Sequence, residues 1–356
     1  MQAAGPGPAA TPAGLFVRRR TLECRPRRML EAMKVWLAIS IALAMGCAPA
    51  NSEPCATSSG CRDELLLRTG GRISYFRTVP LARNPTVRRA VIVVHGNGRD
   101  ADRYYDRLVA AAKAESRLHD AALLAPHFRT EEDGPSPHEH YWSSQGWKIG
   151  NKSRDAGRVS SFAVMDELLA RICSNTRKIF PALQAVVIVG HSAGGQFVNR
   201  YAAGGQDCPD PAVEVRYVVM NPSSYLYVDA RRESALGGGF AVPAPDCEDY
   251  DEYKYGLADL NAYMKRVGPE RIRKNLFERE IYYLAGSEDV KPGKSLDTSC
   301  PAGLQGPDRV ARHASYRRYR ELFDDWTGSV FATIPGVGHS GGEMLMSDTA
   351  RRVTFR

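Results

Sequence analysis

The stretch Val186-Val187-Ile188-Val189-Gly190-His191-Ser192-Ala193-Gly194 decides how this chain folds. Its consecutive apolar, β-branched residues read as a strand buried on both faces of a parallel sheet. The Gly-x-Ser-x-Gly pattern that follows places a serine on a tight turn from that strand into a helix. Glycines are needed on both sides because neighbouring backbone crowds such a turn. The turn lifts the hydroxyl clear of the sheet, at a helix N-terminus whose dipole favours developing negative charge. Ser192 is the candidate nucleophile.

Working outward, more short apolar runs alternate with helical patterns. Two hairpin-like strands are expected at Glu64–Arg68 and Ile73–Val79, and buried strands at Ala90–Val94 and Ala122–Ala125. Val215–Met220, Glu280–Leu284 and Val330–Ile334 read as further strands. Helices are expected over Asp102–Leu118, from Ser160-Ser161 to about Thr176, over Ala193–Tyr201 and over His313–Trp326. The polar segment 127–157 reads as a long loop over the sheet edge. Residues 221–280, rich in Tyr, Asp, Gly and Pro, read as an inserted cap with short helices, Ala258–Arg266 among them. This alternation implies an α/β fold around a mostly parallel sheet with helices on both faces.

A serine nucleophile needs a base, and the base an orienting carboxylate. Of the eight histidines, His339 alone lies downstream of Ser192 in a loop that follows a strand, within Pro335-Gly336-Val337-Gly338-His339-Ser340. The carboxylate should follow the strand ending at Leu284. Ala285-Gly286-Ser287-Glu288-Asp289 offers two, of which Asp289 is preferred, with Glu288 a close competitor and Asp297 a weaker one. Val91-Ile92-Val93-Val94-His95-Gly96-Asn97-Gly98 supplies a strand and a His-Gly loop. Its backbone N–H at Asn97, with that of Ala193, is assigned to the oxyanion.

The order Ser192, Asp289, His339, together with Gly-His-Ser-Ala-Gly, resembles the α/β-hydrolase superfamily over residues 63–350. His-Gly-Asn-Gly-Arg-Asp-Ala followed by Tyr is similar to the secreted polyhydroxyalkanoate depolymerase and feruloyl esterase side of it. The resemblance implies an α/β-hydrolase fold and ester hydrolysis through an acyl-enzyme, with no cofactor and no metal. Asn221-Pro222-Ser223-Ser224-Tyr225 and Tyr255-Gly256-Leu257 match no substrate-defining motif. The substrate is thus a small-molecule or polymeric ester. The same machinery acting on amides, as an exported peptidase, and a non-catalytic binding protein on this scaffold are the rival readings.

The first fifty residues read separately from the rest. Met33-Lys34, the apolar run Val35–Met45 and small residues through Ala50 have the parts of a secretory signal. Residues 1–50 are accordingly read as signal and upstream region, 51–62 as a tether and 63–356 as the hydrolase domain. Ala48-Pro49-Ala50 fits a cleavage site before Asn51. Ala44-Met45-Gly46-Cys47 resembles a lipobox, which would anchor the chain through a lipid on Cys47. Six further cysteines, at 55, 61, 173, 208, 247 and 300, allow three disulfides with the pairing open. Export, to a secreted, periplasmic or membrane-anchored state, is the expected localisation. The formal charge is +8, but seven basic and two acidic residues fall in 1–34, leaving the rest near +3 and no nucleic-acid footprint. The acidic run 246–252 lacks EF-hand spacing and reads as solvated surface. Gly237-Gly238-Gly239 reads as a flexible loop. Trp142 and Trp147 are expected to pack the 127–157 loop onto the sheet.

Overall fold

The computed structural model describes residues 53–356 except 174–178, 235–238, 292 and 294. The signal region, Cys47, the Thr176 end of the helix after Ser160, and most of the triple glycine lie outside the described residues. Eight strands form the central sheet: β1 (Arg62–Leu66), β2 (Arg72–Arg77), β3 (Arg89–Val94), β4 (Ala121–Pro126), β5 (Ala185–His191), β6 (Glu214–Met220), β7 (Glu280–Gly286) and β8 (Ser329–Ile334). Their spatial order is β1-β2-β4-β3-β5-β6-β7-β8. β1 pairs antiparallel with β2 and β2 with β4, while β4 through β8 run parallel. β3 and β5 lie in register from Arg89 beside Ala185 to Val94 beside Gly190, which brings the His95 loop level with Ser192.

Period-2 alternation divides the apolar strands between two cores. Ile92, Val94, Val186 and Ile188 join one, with α2 (Ser161–Cys173), α3 (Ala193–Gly204), α4 (Ala262–Val267), α5 (Pro269–Glu278) and α7 (Arg309–Arg320). Val91, Val93, Val187 and Val189 join the other, with α1 (Ala101–Ala114), α8 (Gly341–Met346) and α9 (Asp348–Phe355). Residues 186–189 are at most 1% exposed. Each such side chain contributes about 1.5–3 kcal/mol of transfer free energy, so β5 is held firmly from both sides.

Helix boundaries depart from the sequence reading in several places. α1 stops at Ala114, not Leu118, because Ser116 takes a φ of 54° and its N–H bonds back to Lys113. α7 begins at Arg309, capped by the Asp308 carboxylate on the Ala311 N–H, and ends at Arg320. His313 therefore lies in its second turn. The expected helix Ala258–Arg266 starts instead at Ala262, after the Asn261 cap. Within 127–157 the chain makes two-residue strands at Arg129–Thr130 and Tyr141–Trp142, with 3-10 turns at 131–133 and 146–149. Trp142 and Trp147 are fully buried there, and Trp147 stacks on Phe128 with centroids 6.0 Å apart. α6 (Cys300–Gly303), α8 and α9 had no expectation; Ser340 and Ser347 cap the last two. No helix among the described residues is long and apolar enough to cross a membrane.

Three disulfides, Cys55–Cys61, Cys173–Cys208 and Cys247–Cys300, use all six cysteines beyond Cys47. Cys173–Cys208 ties the end of α2 to the loop after α3 across 35 residues. Peptide mapping under non-reducing conditions should return these three pairs. Replacing Cys173 and Cys208 together by Ala should cost about 3–4 kcal/mol in denaturant unfolding, on the chain-entropy argument. A loss under about 1 kcal/mol would mean that the bridge closes little of the unfolded chain's freedom.

Candidate active site

Ser192 occupies the turn between β5 and α3 with φ 59° and ψ −116°. The turn survives because of its glycines. A Cβ on Gly190 would strike the Gly194 carbonyl, and one on Gly194 would strike the carbonyls of Val94 and His95. The Ser192 N–H bonds to the Met220 carbonyl at the end of β6 at 2.9 Å. The serine is thus pinned between two strands, and the β3 loop packs directly against the first turn of α3.

The loops after β7 and β8 bring in Asp289 and His339. His339 Nε2 lies 2.9 Å from Ser192 Oγ, and His339 Nδ1 lies 2.7 Å from Asp289 Oδ2. Asp289 is 3% exposed. The loops are stitched together by backbone bonds from Ser287 to Ile334 and from Glu288 to Val337, both 2.9 Å. Asn221, at the end of β6 with φ 44°, accepts from the Gly286 N–H at 2.9 Å and donates to the Gly338 carbonyl at 3.3 Å. Glu288, the competing carboxylate, is exposed and accepts from Ser287 Oγ. Asp297 is engaged elsewhere, by Lys254 Nζ at 2.7 Å and Tyr255 Oη at 2.8 Å. These partners hold its pKa well below the carboxylate range against the opposing effect of burial.

Two neighbours of this trio carry no local sequence signal. Arg309, 1% exposed, lies 3.5 Å from Asp289 Oδ1 and donates to the hydroxyls of Ser223 and Ser295, both at 3.2 Å. Its position could be found only by knowing that α7 packs beneath the β7 loop. His191 stands with its ring 4.7 Å from that of His339, and its Nδ1 lies 3.0 Å from Tyr104 Oη. Burial pushes the His191 pKa well below its usual value, so the ring beside His339 stays neutral.

Asn97 and Ala193, the assigned oxyanion donors, sit on adjoining elements: the loop after β3 and the first residue of α3. His95 anchors that loop. Its Nε2 accepts from the Phe128 N–H at 3.0 Å, which leaves Nδ1–H to donate to the Gly96 carbonyl at 2.9 Å. Arg99 adds an ion pair to Asp133 at 2.6 Å and a bond to the Asn97 carbonyl at 3.1 Å. A cavity of about 420 Å³ is lined by Asn97, Gln196 and Ser223 among others, and a larger one of about 690 Å³ by Gly150, Arg158 and Tyr263 among others; Ser192, Asp289 and His339 line neither. Among the described residues no cluster of His, Cys, Asp or Glu could hold a metal.

The three side chains form a line of contacts from a hydroxyl through an imidazole to a buried carboxylate, an order in which an imidazole can take a hydroxyl's proton. No family model matches the chain, and no curated protein matches it. Among solved structures it is similar to the poly(3-hydroxybutyrate) depolymerase LpqC of Bordetella parapertussis, at 24% identity and a TM-score of 0.55, over 80% of this chain and 86% of that one. It is also similar to poly(aspartic acid) hydrolase-1 of Sphingomonas sp. KT-1, at 22% identity and a TM-score of 0.58, over 83% and 99% of the two chains. The fold is that of an α/β-hydrolase.

Burial holds His95 down to about 3, His127 and His313 each to about 4, and His191 well below its usual value. In the unfolded chain these rings titrate near 6.5, so as pH falls below that value the unfolded state takes up the protons first. The stability they confer is complete above about 6.5 and drains toward 4, by up to about 1.4 kcal/mol per pH unit for each ring. Urea unfolding at pH 7, 6 and 5 should show the decline, and His313→Gln should remove roughly a quarter of its slope. A flat profile in this range would contradict neutral burial of the four rings.

Proposed function

We propose that this chain is an exported serine hydrolase that cleaves carboxylic esters through an acyl-enzyme on Ser192. The observation that carries the reading is the chain of contacts from Ser192 Oγ to His339 Nε2 at 2.9 Å and from His339 Nδ1 to Asp289 Oδ2 at 2.7 Å. In this reading His339 takes the Ser192 proton as the oxygen attacks the ester carbonyl, and Asp289 stabilises the imidazolium. The N–H groups of Ala193 and Asn97 receive the oxyanion. Collapse of the tetrahedral species returns the proton from His339 to the departing alcohol. Water then repeats the cycle on the acyl-enzyme and frees Ser192. No step calls on a cofactor or metal.

The likeness to a poly(3-hydroxybutyrate) depolymerase supports an ester, in a polymer or a small molecule, as the substrate. The likeness to a poly(aspartic acid) hydrolase keeps amide cleavage by the same residues as the second reading. Residues 63–356 form the hydrolase domain in this proposal, with 221–280 as its cap. The three disulfides support an oxidising compartment. The signal-like residues 33–50 are consistent with that, with Cys47 lipidated or with cleavage before Asn51. Intact mass of protein recovered from outside the cytoplasm of a native host should start at Cys47 or near Asn51. A mature chain that keeps residues 1–32 would remove the export reading.

A fluorophosphonate should add to Ser192 and to no other serine. Ser192→Ala should abolish labelling and lower hydrolysis of 4-nitrophenyl esters by at least about 10³-fold, with the melting temperature nearly unchanged. His339→Ala should suppress labelling too. Asp289→Asn should cost about 10³–10⁴ in kcat, while Glu288→Gln changes it by less than about threefold. A folded wild type that neither labels nor hydrolyses short- and long-chain esters would leave the non-catalytic binding protein standing. A greater loss with Glu288→Gln than with Asp289→Asn would reassign the acid.

A further inference from the structure

The Ser192, His339 and Asp289 arrangement leaves one buried charge elsewhere in the fold unexplained. Lys148 belongs to the 3-10 turn Gly146–Ile149 in the loop between β4 and α2, and it is 5% exposed. Its ammonium donates to Gln145 Oε1 at 3.3 Å, and no carboxylate among the described residues pairs with it. An ammonium taken out of water without an opposite charge costs several kcal/mol, so structures rarely keep one idle. Asp297, the acid whose field reaches Lys148, is already bound to Lys254 at 2.7 Å, to Tyr255 and to Ser299. Two ammonium groups thus face a single carboxylate.

The surroundings add to the imbalance. Arg200, fully buried, spends its donors on the carbonyls of Gln196, Ser224 and Lys254 and on the Ser224 hydroxyl, with no acid among them. Arg312, 1% exposed, bonds to the carbonyls of Ser223 and Gly306. Both cations lower the basicity of these lysines by charge repulsion in addition to the larger effect of burial, Arg200 on each lysine and Arg312 on Lys254. Low-dielectric walls around like charges focus a positive potential into the space between them.

That space is the cavity of about 420 Å³. Lys148, Lys254 and Asp297 line it together with Asn97, Gln196 and Ser223, and Leu296 is its one hydrocarbon side chain among the described residues. Its lining is tied to the Ser192, His339 and Asp289 trio by three routes. Asn97 follows the His95-Gly96 turn that packs on Gly194. Gln196 is one helical turn from Ser192 and donates its N–H to the Ser192 carbonyl. Ser223 hydrogen-bonds Arg309, which pairs with Asp289.

We propose that this cavity is a carboxylate subsite, so that the substrate is an ester bearing a free carboxylate, which Lys148 receives. The proposal rests on the serine-hydrolase reading and names its substrate class. An apolar acyl chain finds almost nothing to cover here. A carboxylate finds an unpaired ammonium with free donors in a net positive field. Burial lowers the Lys148 pKa to about 8, so the group is still mostly charged at neutral pH, ready for an anion.

The test uses the processed full chain and two matched pairs of esters. In one pair the carboxylate is on the acyl side, 4-nitrophenyl hemiglutarate against 4-nitrophenyl valerate. In the other it is on the alcohol side, 4-acetoxybenzoate against 4-methylphenyl acetate. The wild type should prefer the carboxylated member of at least one pair by about tenfold or more in kcat/KM, and that pair assigns the side. Lys148→Met should erase the preference through KM while leaving the neutral ester within about threefold, and Lys148→Arg should keep part of it. A wild type without preference in either pair overturns the subsite, as does a Lys148→Met variant that weakens charged and neutral esters alike. Fluorophosphonate labelling of Ser192, run in parallel on every protein, separates the two failures. Labelling without carboxylate preference sinks the subsite alone, and absence of labelling in the wild type sinks the hydrolase reading beneath it.

Discussion

Ser192 is held in a backbone conformation that few residues adopt, and the rest of the site is arranged around it. A non-glycine residue at φ 59° and ψ −116° costs on the order of 1–3 kcal/mol and persists only where its surroundings over-determine it. Here they do. β5 is packed on both faces, the Ser192 N–H is tied to β6, and Gly190 and Gly194 allow backbone to approach where a Cβ would collide. The strain is carried by the packing of β5 into both cores. In return the hydroxyl stands clear of the sheet at the one place where the loops after β7 and β8 can reach it.

Those loops behave as a unit. Asn221 braces both through Gly286 and Gly338, and Ser287 and Glu288 bond directly to the β8 side. Asp289 therefore meets His339 with little conformational search, which is where positioned catalytic groups gain most of their advantage. Arg309 makes the carboxylate tolerable in a buried setting. His339 gives Asp289 a hydrogen bond, and the guanidinium at 3.5 Å, itself satisfied by Ser223 and Ser295, supplies the opposite charge.

Much of this was legible in the sequence because its signals are local. Four apolar residues in a row before Gly190 specify a doubly buried strand, and the chain order Ser, Asp, His along successive strand ends needs no long-range knowledge. Helix ends were less legible. The stop of α1 depends on Ser116 taking a left-handed turn, and α7 starts four residues early because Asp308 caps it. Hydrophobic periodicity records neither. Residues whose meaning lies in distant partners were invisible. Arg309 matters through Asp289, twenty positions earlier, and Asn221 through Gly286 and Gly338. Lys148 reads as one more surface lysine until the fold buries it.

The 127–157 loop shows how the oxyanion loop and the charged cavity are joined. Phe128 donates its N–H to His95, Arg99 reaches across to Asp133, and Trp147 packs against the His95 ring with centroids 4.6 Å apart. Lys148 is the residue after Trp147. The aromatic contact that steadies the His95-Gly96-Asn97 turn therefore also fixes the stem of the lysine. A loop so constructed has reason to be long and buried at both tryptophans, where a simple connection between β4 and α2 would need only a few residues.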